Sequence, residues 1–439
     1  MAVKVCKFGG TSMADGNVIK NVKKIIESDA ERKFIVVSAP GKRYSADKKV
    51  TDLLLNCYAE VSACGDIKAA FAPVRARFVS LVKELELDFD INSVLDETEK
   101  AIAAKKSEDF TASRGEYLNA RIVAKVLGAK FIDAKDVIFF DGNGALDGEK
   151  SYKAVAEALK GVERAVFPGF YGTGSDGKVK TFSRGGSDIS GAIVARAVKA
   201  SLYENWTDVS GFLACDPRLV DCPKRIKTIS YKELRELSYM GANVLHADSI
   251  FPVRSANIPV KIKNTFRPED DGTSILPISR YTPSGTVVTG VAGKKNFTVI
   301  FIEKSLMNSE VGFMGKVLAV LAKEGVSVEH VPSGIDTMSL VIESCALEGG
   351  KLDKILTGIK SEVKPDVLRV IENIALIATV GHGMSSSVGT SARLFGAIAG
   401  ANINVKMIDQ GSSEINIVVG VSNDDYEKCI KAIYKEFFN

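Results

Sequence analysis

A chain of 439 residues is longer than one ordinary domain, so two or three domains are expected. Hydrophobic residues make up 46% and charged residues 26%, a globular balance that excludes a disordered or fibrous chain. The net charge is only +4, from 58 basic and 54 acidic residues, and no basic stripe is concentrated anywhere, which argues against a nucleic-acid partner.

The first two-thirds alternates strand-like and helix-like segments. AVKVCKF, residues 2–8, is short, apolar and β-branched, and reads as a strand. Residues 15–28 read as a helix. KFIVVSA, residues 33–39, has the pattern of a buried strand ended by Pro40-Gly41. Thr51 is placed to cap the next helix, TDLLLNCYAEV, and helix-like sequence runs on to about 127. Then come the strand-like AVFPGFYG, a long helix after Ser187, the strand-like SLYENWTDVSG, a helix over about 231–248 and the strand IPVKIKN. This alternation predicts an α/β fold with a largely parallel sheet covered by helices. In such sheets ligands gather at the loops after the strands' C-terminal ends.

The last third carries an internal repeat with a shift of 77 residues and no gap. FTVIFI (297–302) falls on IALIAT (374–379), SVEHV (327–331) on NVKMI (404–408), and SLVI (339–342) on NIVV (416–419). Val317, Leu318 and Leu321 fall on Leu394, Phe395 and Ile398, which gives each copy a helix with one apolar face. Each copy reads strand, helix, strand, strand, helix. The expected domains are residues 1–292, 293–368 and 369–439, with a boundary near Gly293-Lys294.

Seven cysteines, at positions 6, 57, 64, 215, 222, 345 and 429, form no CxxC pair and read as reduced thiols of an intracellular protein. His246, His330 and His382 are far apart and sit in no metal motif, so no His/Cys metal centre is expected. No signal-peptide pattern opens the chain, and no apolar run nears the roughly 20 residues of a membrane helix. A cytoplasmic protein with no membrane partner is expected.

GTGSDG, residues 172–177, satisfies the dinucleotide pattern GxGxxG, but strand-like KVKTF follows where a helix is needed, and Asp176-Gly177 suits a hairpin turn. KFGGTS, residues 7–12, is a better anion site. Gly9 and Gly10 let backbone N–H groups approach a phosphate, a helix N-terminus follows, and Lys7 adds a cation able to follow a phosphoryl group in transit. A tight turn capped by Thr11 or Ser12, with Lys7 exposed, fits the stretch equally well. TFSRGGSD, residues 181–188, repeats the logic: Arg184 offers a planar fork suited to a carboxylate, Gly185 and Gly186 follow, and Ser187 or Asp188 caps a helix. Two such loops favour a site for an anionic ligand. SRGE, residues 113–116, fits a capping box with Ser113 as the cap and Glu116 three positions on. WTDVSGFLACDPR, residues 206–218, is a strand end with a polar loop whose Asp208, Asp216 and Arg218 either face a nucleotide or shape the loop. Lys261 and Lys263 lie on one face of a strand, and a solvated edge explains them equally well.

Taken together, KFGGTS, SRGE, RGGSD and TDVSGF…DPR, in that order, resemble the aspartate kinases of the amino-acid kinase family, and the resemblance covers nearly the whole chain. It implies a three-layer αβα fold with a mainly parallel central sheet, followed by two βαββαβ, ferredoxin-like ACT modules that bind amino-acid effectors. No dehydrogenase domain follows, so the single-function enzyme is implied. The implied reaction joins ATP and L-aspartate to give ADP and 4-phospho-L-aspartate, the first step towards lysine, threonine and methionine. The substrate's own carboxylate is the nucleophile, so positioning and charge neutralisation suffice. Mg2+ is implied as a cofactor held mainly by ATP and water.

By the same resemblance Lys7 stabilises the transferring phosphoryl group, Gly9, Gly10 and Thr11 line the phosphates, and Asp188 organises the lysine. Thr51 and Glu116 hold the substrate, Glu116 near its ammonium; Arg184 clamps the α-carboxylate, with Gly185, Gly186 and Ser187 supplying loop contacts. Thr207, Asp208, Arg218 and Lys263 serve the nucleotide, and Phe212 or Leu213 stacks near the adenine. The family often reads VLHP near residue 246; here Ala247 follows. The implied effector pocket joins residues 306–316 to 327–334, with Met307, Gly312, Phe313, Met314, Val328, Glu329 and Ser333 as lining. Glu329 suits a cationic ligand, so lysine is favoured over threonine, although SGID (333–336) does not match the lysine-binding pattern clearly. A homodimer or dimer of dimers through the ACT modules is implied. Two alternatives stay open: a kinase for another carboxylate, such as glutamate, acetylglutamate or carbamate, and an inactive amino-acid sensor on the same scaffold.

Overall fold

The structure is a computed structural model describing residues 2–63, 67–104, 107–183, 185–241, 245, 247–282 and 286–439. It divides into two compact units that are not contiguous in sequence. The first holds Met1–Phe212, Lys227–Tyr231 and Asn243–Thr282; the second holds Leu213–Ile226, Lys232–Ala242 and Pro283–Asn439.

The first unit is organised by strands β1 (Lys4–Phe8), β2 (Arg32–Val37), β3 (Lys130–Phe131), β4 (Ala165–Pro168), β5 (Tyr171–Thr173), β6 (Val179–Thr181), β7 (Leu202–Thr207), β8 (Thr228–Ser230), β9 (Val260–Asn264) and β10 (Thr273–Leu276). Eight of them form one sheet in the order β3-β4-β2-β1-β7-β9-β10-β8. Neighbours run parallel except β9 and β10. The strands in the middle are buried on both faces, which is why Phe34-Ile35-Val36-Val37 is a continuous apolar run and not an alternating one. β5 and β6 form a separate antiparallel hairpin closed over GTGSDG, with Gly177 at φ +76° in its turn, so that motif is a hairpin as its sequence predicts.

Helices α1 (Gly16–Glu27), α2 (Val50–Ala63), α3 (Lys68–Glu84), α4 (Ile91–Ala103), α5 (Glu108–Leu127), α6 (Gly148–Ala158) and α7 (Gly186–Ala197) connect the strands. Four capping expectations fail, each because the helix begins elsewhere. α7, expected to be capped by Ser187 or Asp188, has Gly185 at its cap and both residues inside its first turn. α1 is capped by Asp15, which accepts the Val18 N–H at 3.0 Å, while Thr11 and Ser12 form a short 3₁₀ turn ahead of it. Thr51 lies inside the first turn of α2. α5 starts at the cap Ser107, which accepts the Phe110 N–H at 3.2 Å. That puts SRGE in mid-helix, where Ser113, Arg114 and Glu116 are all buried. The Ser113 hydroxyl instead donates back to the Phe110 carbonyl at 2.7 Å.

The second unit contains the end of α8 (Tyr231–Tyr239), then β11 (Gly290–Glu303), α10 (Phe313–Lys323), β12 (Thr337–Glu343), α11 (Lys351–Val363), β13 (Val367–Val380), α12 (Thr390–Gly400), β14 (Met407–Asp409), β15 (Asn416–Ser422) and α13 (Tyr426–Phe438). The short helix α9 (Phe251–Ser255) belongs to the first unit. One five-stranded antiparallel sheet runs β12-β11-β13-β15-β14. The expected boundary at Gly293 falls inside β11, and the reason is register. Residues 297–303 of β11 pair with β12 and with the start of β13, whereas residues 290–294 pair with the end of β13, whose residues 374–380 also pair with β15. The two repeats therefore interlock, each lending part of a long strand to the other. SVEHV forms no full strand; it is held by paired bonds between the Glu329 N–H and Val341 carbonyl (2.8 Å) and between the Val341 N–H and His330 carbonyl (3.0 Å).

Positive φ values mark the repeat independently. Asn296 (+70°) matches Asn373 (+59°), Gly312 (+82°) matches Gly389 (+87°), and Gly325 (+65°) matches Asn402 (+50°), each pair 77 positions apart, as 373 is from 296. The segments drawn from earlier sequence are bonded into this unit: the Val291 N–H donates to the Ala214 carbonyl (2.7 Å), and the Glu233 carboxylate accepts from the Thr289 hydroxyl (2.6 Å) and the His382 N–H (2.9 Å).

Candidate active site

The parallel sheet delivers the C-terminal ends of β1, β2 and β7 side by side, with loops 9–15, 38–49 and 207–212 leaving from one edge. Alternation along β1 decides which side chains face which layer. Cys6 and Phe8 point one way: the Cys6 thiol donates to Glu204 at 3.3 Å and Phe8 stacks on Trp206 with centroids 5.8 Å apart. Lys7 points the other way, towards α7. Its ammonium is 2.7 Å from Oδ1 of Asp188, in the first turn of that helix, and both side chains are largely buried. Asn205, in register beside Lys7 on β7, donates its amide to the same Asp188 oxygen at 2.8 Å.

The loop after β1 is fixed by backbone bonds. The Gly9 N–H donates to the Trp206 carbonyl at 3.0 Å, and the Gly10 carbonyl accepts from Met13 (3.0 Å) and from Gly41 (2.8 Å). The Lys7 ammonium stands beside this loop, 3.5 Å from where a Cβ on Gly9 would be. Thr11 is exposed and Ser12 is buried, bonded to the Thr265 hydroxyl at 2.7 Å. A second anchor comes from α3: the buried Arg77 guanidinium donates to the Gly41 carbonyl and to that of Ala14 (2.9 Å), and pairs with Asp47 at 2.6 Å.

Against the loop after β2 lies α5. Glu116 is buried on it; desolvation raises its carboxyl to about 7, opposed by the Ala39 N–H bond and the Arg114 charge. Its Oε2 has no partner among the described residues. One turn on, Asn119 donates to the Ser38 carbonyl at 2.7 Å, and its Oδ1 likewise has no partner there. Glu116 Oε2 and Asn119 Oδ1 are thus buried oxygens, one turn apart on α5, with lone pairs left open to a donor.

A match to the amino acid kinase family spans residues 2–264, and a match to an ACT domain spans residues 377–437. The chain is 38% identical to aspartokinase 3 of Bacillus subtilis over 99% of both chains. The chain belongs to the amino acid kinase family, among its aspartate kinases. Among solved structures, the aspartate kinase of Clostridium acetobutylicum is 53% identical with a TM-score of 0.90, covering 100% of this chain and 99% of its own. Aspartokinase III of Escherichia coli is 25% identical and matches in two forms, covering 100% of both chains: with aspartate and ADP at TM-score 0.77, and with lysine and aspartate at 0.72. The enzyme is thus a phosphotransferase with a carboxyl group as acceptor.

Not every expected residue joins the kinase's cluster at Lys7. Gly185, at φ +58°, opens α7; Gly186 and Ser187 follow, and Ser187 packs so closely on Gly169 that a methyl there would fall 2.6 Å from its hydroxyl. Arg184 lies outside the described residues. Thr207 and the exposed Asp208 sit at the end of β7, with the Thr207 hydroxyl donating to Asp208 at 3.2 Å. Thr51 lies half-buried on α2. Phe212 is corrected: its side chain is only 1% exposed within the core, so it has no face to offer an adenine. Lys263 is corrected too. β9 lies between β7 and β10 and is no edge, and Lys263 pairs in register with Trp206, on the face opposite Lys7. Its ammonium is held by the carbonyls of Pro268 (2.8 Å) and Asp270 (2.6 Å), 5.4 Å from the Trp206 ring centre. Arg218 belongs to the second unit, where it pairs with Asp216 at 2.6 Å.

In the second unit, Met307 and Phe313 are core residues and Val328 packs against the same cluster. Gly312 caps α10, Met314 is 42% exposed, and Ser333 bridges to Met338. The Glu329 carboxylate accepts a hydrogen bond from the Tyr239 hydroxyl. Asn205, Asn119, Arg77 and Gly41 are the site-forming residues that the motifs missed. Gly41 shows only as the end of a strand, and Arg77 interrupts the apolar stripe Phe71, Val74, Phe78, Leu81 of α3, where a charge needs a buried partner.

Proposed function

We propose that Lys7 carries the aspartate kinase reaction by meeting the γ-phosphoryl group of ATP as it passes to the side-chain carboxylate of L-aspartate. A carboxylate oxygen bonds to the γ-phosphorus as the bond to the bridging oxygen of ADP breaks, giving 4-phospho-L-aspartate and ADP. The single observation supporting this role is the buried Lys7 ammonium, pinned to Asp188 at 2.7 Å beside the Gly9-Gly10 loop. A cation held in a dry site costs no reorganisation when charge develops on the phosphoryl oxygens. Gly9, Gly10 and Thr11 line the phosphates, with Thr207 and Asp208 on the nucleotide side. Glu116 takes the substrate ammonium and Arg184, by its place in RGGSD, the α-carboxylate, with Thr51, Gly185, Gly186 and Ser187 around them.

Mg2+ would be held mainly by the phosphates of the nucleotide and by water, and would offset phosphate charge. Asp188 is already engaged by Lys7 and Asn205, whereas Asp208 is exposed, a donor set that suits an ion held mainly by phosphate oxygens and water. For the effector we favour L-lysine over threonine, supported by the Glu329 carboxylate and by the lysine complex of the Escherichia coli relative. Val311 and Val388, repeat-related and almost wholly exposed, support a homodimer or dimer of dimers through the ACT modules. We place the enzyme in the cytoplasm, at the first step towards lysine, threonine and methionine.

The test is an ATP-dependent assay that traps the acyl phosphate with hydroxylamine, run with aspartate and with glutamate, then with added lysine, threonine or methionine. Aspartate-dependent hydroxamate that falls with lysine supports the reading. Activity on glutamate but not aspartate, or inhibition by threonine alone, overturns the corresponding part.

A further inference from the structure

We infer that Asn205 is a positioning residue for phosphoryl transfer: it locks the Asp188 carboxylate in the one rotamer that directs the Lys7 ammonium at the glycine loop. The inference rests on the reading of Lys7 given above. β7 grips the first turn of α7 at two points on one strand face. The Tyr203 hydroxyl donates to the Asp188 backbone carbonyl at 3.1 Å, and the Asn205 amide donates to Asp188 Oδ1 at 2.8 Å. That oxygen also receives the Lys7 ammonium at 2.7 Å, so it sits between two donors from adjacent, in-register strands. Gly191 lets Tyr203 approach: a methyl there would meet the phenol oxygen at 2.5 Å.

The geometry explains why an amide is used. A carboxylate bonded to a lysine alone can swing about its χ angles with the flexible four-carbon stem of its partner. A second donor from the buried Asn205 removes that freedom, and the ammonium is then fixed by a rigid element. The amide is neutral, so it orients Asp188 without competing for its charge. A lysine or arginine at 205 would draw the carboxylate away from Lys7; an aspartate would repel it.

The test is a double-mutant cycle. Asn205→Ala is expected to lower kcat by up to about 100-fold, the scale of a small misplacement of a reacting group. KM for ATP should change by less than about threefold, a split that a general loss of packing does not give. In an Asp188→Ala background the same change is expected to have almost no further effect, because its route to Lys7 is gone. Asn205→Asp keeps the shape and covers the case in which the alanine variant folds poorly; it should lower kcat at least as far. Wild-type kcat in both single variants, or a full additional loss in the Asp188→Ala background, overturns the inference. Lys7→Ala run alongside separates the two readings: if it retains turnover, the Lys7 role itself fails.

Discussion

Gly41 donates its N–H to the Gly10 carbonyl at 2.8 Å, and the two chains are so close that a methyl on Gly41 would stand 2.6 Å from the Gly10 carbonyl carbon. The loops after β1 and β2 thus touch backbone to backbone. No side chain larger than hydrogen fits there, and the Gly9-Gly10 loop takes its shape from that contact.

Gly41→Ala should therefore push the two loops apart while leaving the sheet intact. KM for ATP is expected to rise at least tenfold, about 1.4 kcal/mol of binding. Initial-rate kinetics on the folded variant check this, and an unchanged KM contradicts it.

Arg77 supports the same contact from α3, through the Gly41 and Ala14 carbonyls and the Asp47 carboxylate. Arg77→Met takes this donor from the Gly41 and Ala14 carbonyls, while Asp47 keeps its pair with Arg43 at 2.8 Å, so a loss of about 1–3 kcal/mol in stability is expected. Urea unfolding measures it; a midpoint within error of the wild type would remove Arg77 from the account.

Lys7→Ala is expected to lower kcat by about 10³-fold or more, as loss of a directed charge in a dry site does. The circular dichroism spectrum should be unchanged. Near-normal turnover would refute the assigned role.

Glu116 gives the pH dependence. Burial raises its carboxyl from 4.5 to about 7, so the ligand-free folded chain holds a proton there that the unfolded chain has released between those values. The sign follows: this group's contribution to stability is present below about 4.5 and is lost as pH rises towards about 7, by a few kcal/mol in total. Bound aspartate should reverse the preference, because its ammonium favours the ionised form. KM for aspartate is expected to rise as pH falls below about 7, and Glu116→Gln should flatten both profiles. Parallel pH profiles for the variant and the wild type would exclude Glu116 as the titrating group.

Tyr239 occupies the Glu329 carboxylate that the proposed lysine effector needs. Tyr239→Phe removes the competing hydroxyl, and lysine should then inhibit at a several-fold lower concentration, the worth of one hydrogen bond to a charged group. Glu329→Gln should raise that concentration instead. Lysine titrations of activity decide it; no change in either variant would move the effector elsewhere.

The parallel α/β domain, the repeat of 77 residues and the strand–turn–helix course of KFGGTS can be read along the chain. These are legible because they rest on periodicity and local backbone requirements, which neighbours along the chain encode. The decoy GTGSDG was legible for the same reason. What tertiary structure decided was which of the motif residues meet. Lys7 and Lys263 lie on adjacent parts of one sheet, yet strand alternation sends them to opposite faces, and only the pairing of β1, β7 and β9 fixes those faces. Phe212 looked like an adenine platform until packing buried it. Glu116 fits half of a capping box, but the helix is capped at Ser107, six residues before Ser113, which makes Glu116 a buried mid-helix carboxyl group. Asn205 carries no local signal and Gly41 only that of a strand end, since their partners, Asp188 and Gly10, lie 17 and 31 residues away. Likewise the repeats were visible but their interlocking was not. It depends on hydrogen-bond register between β11 and β13, and register is settled by burying the right face of each strand in the assembled sheet.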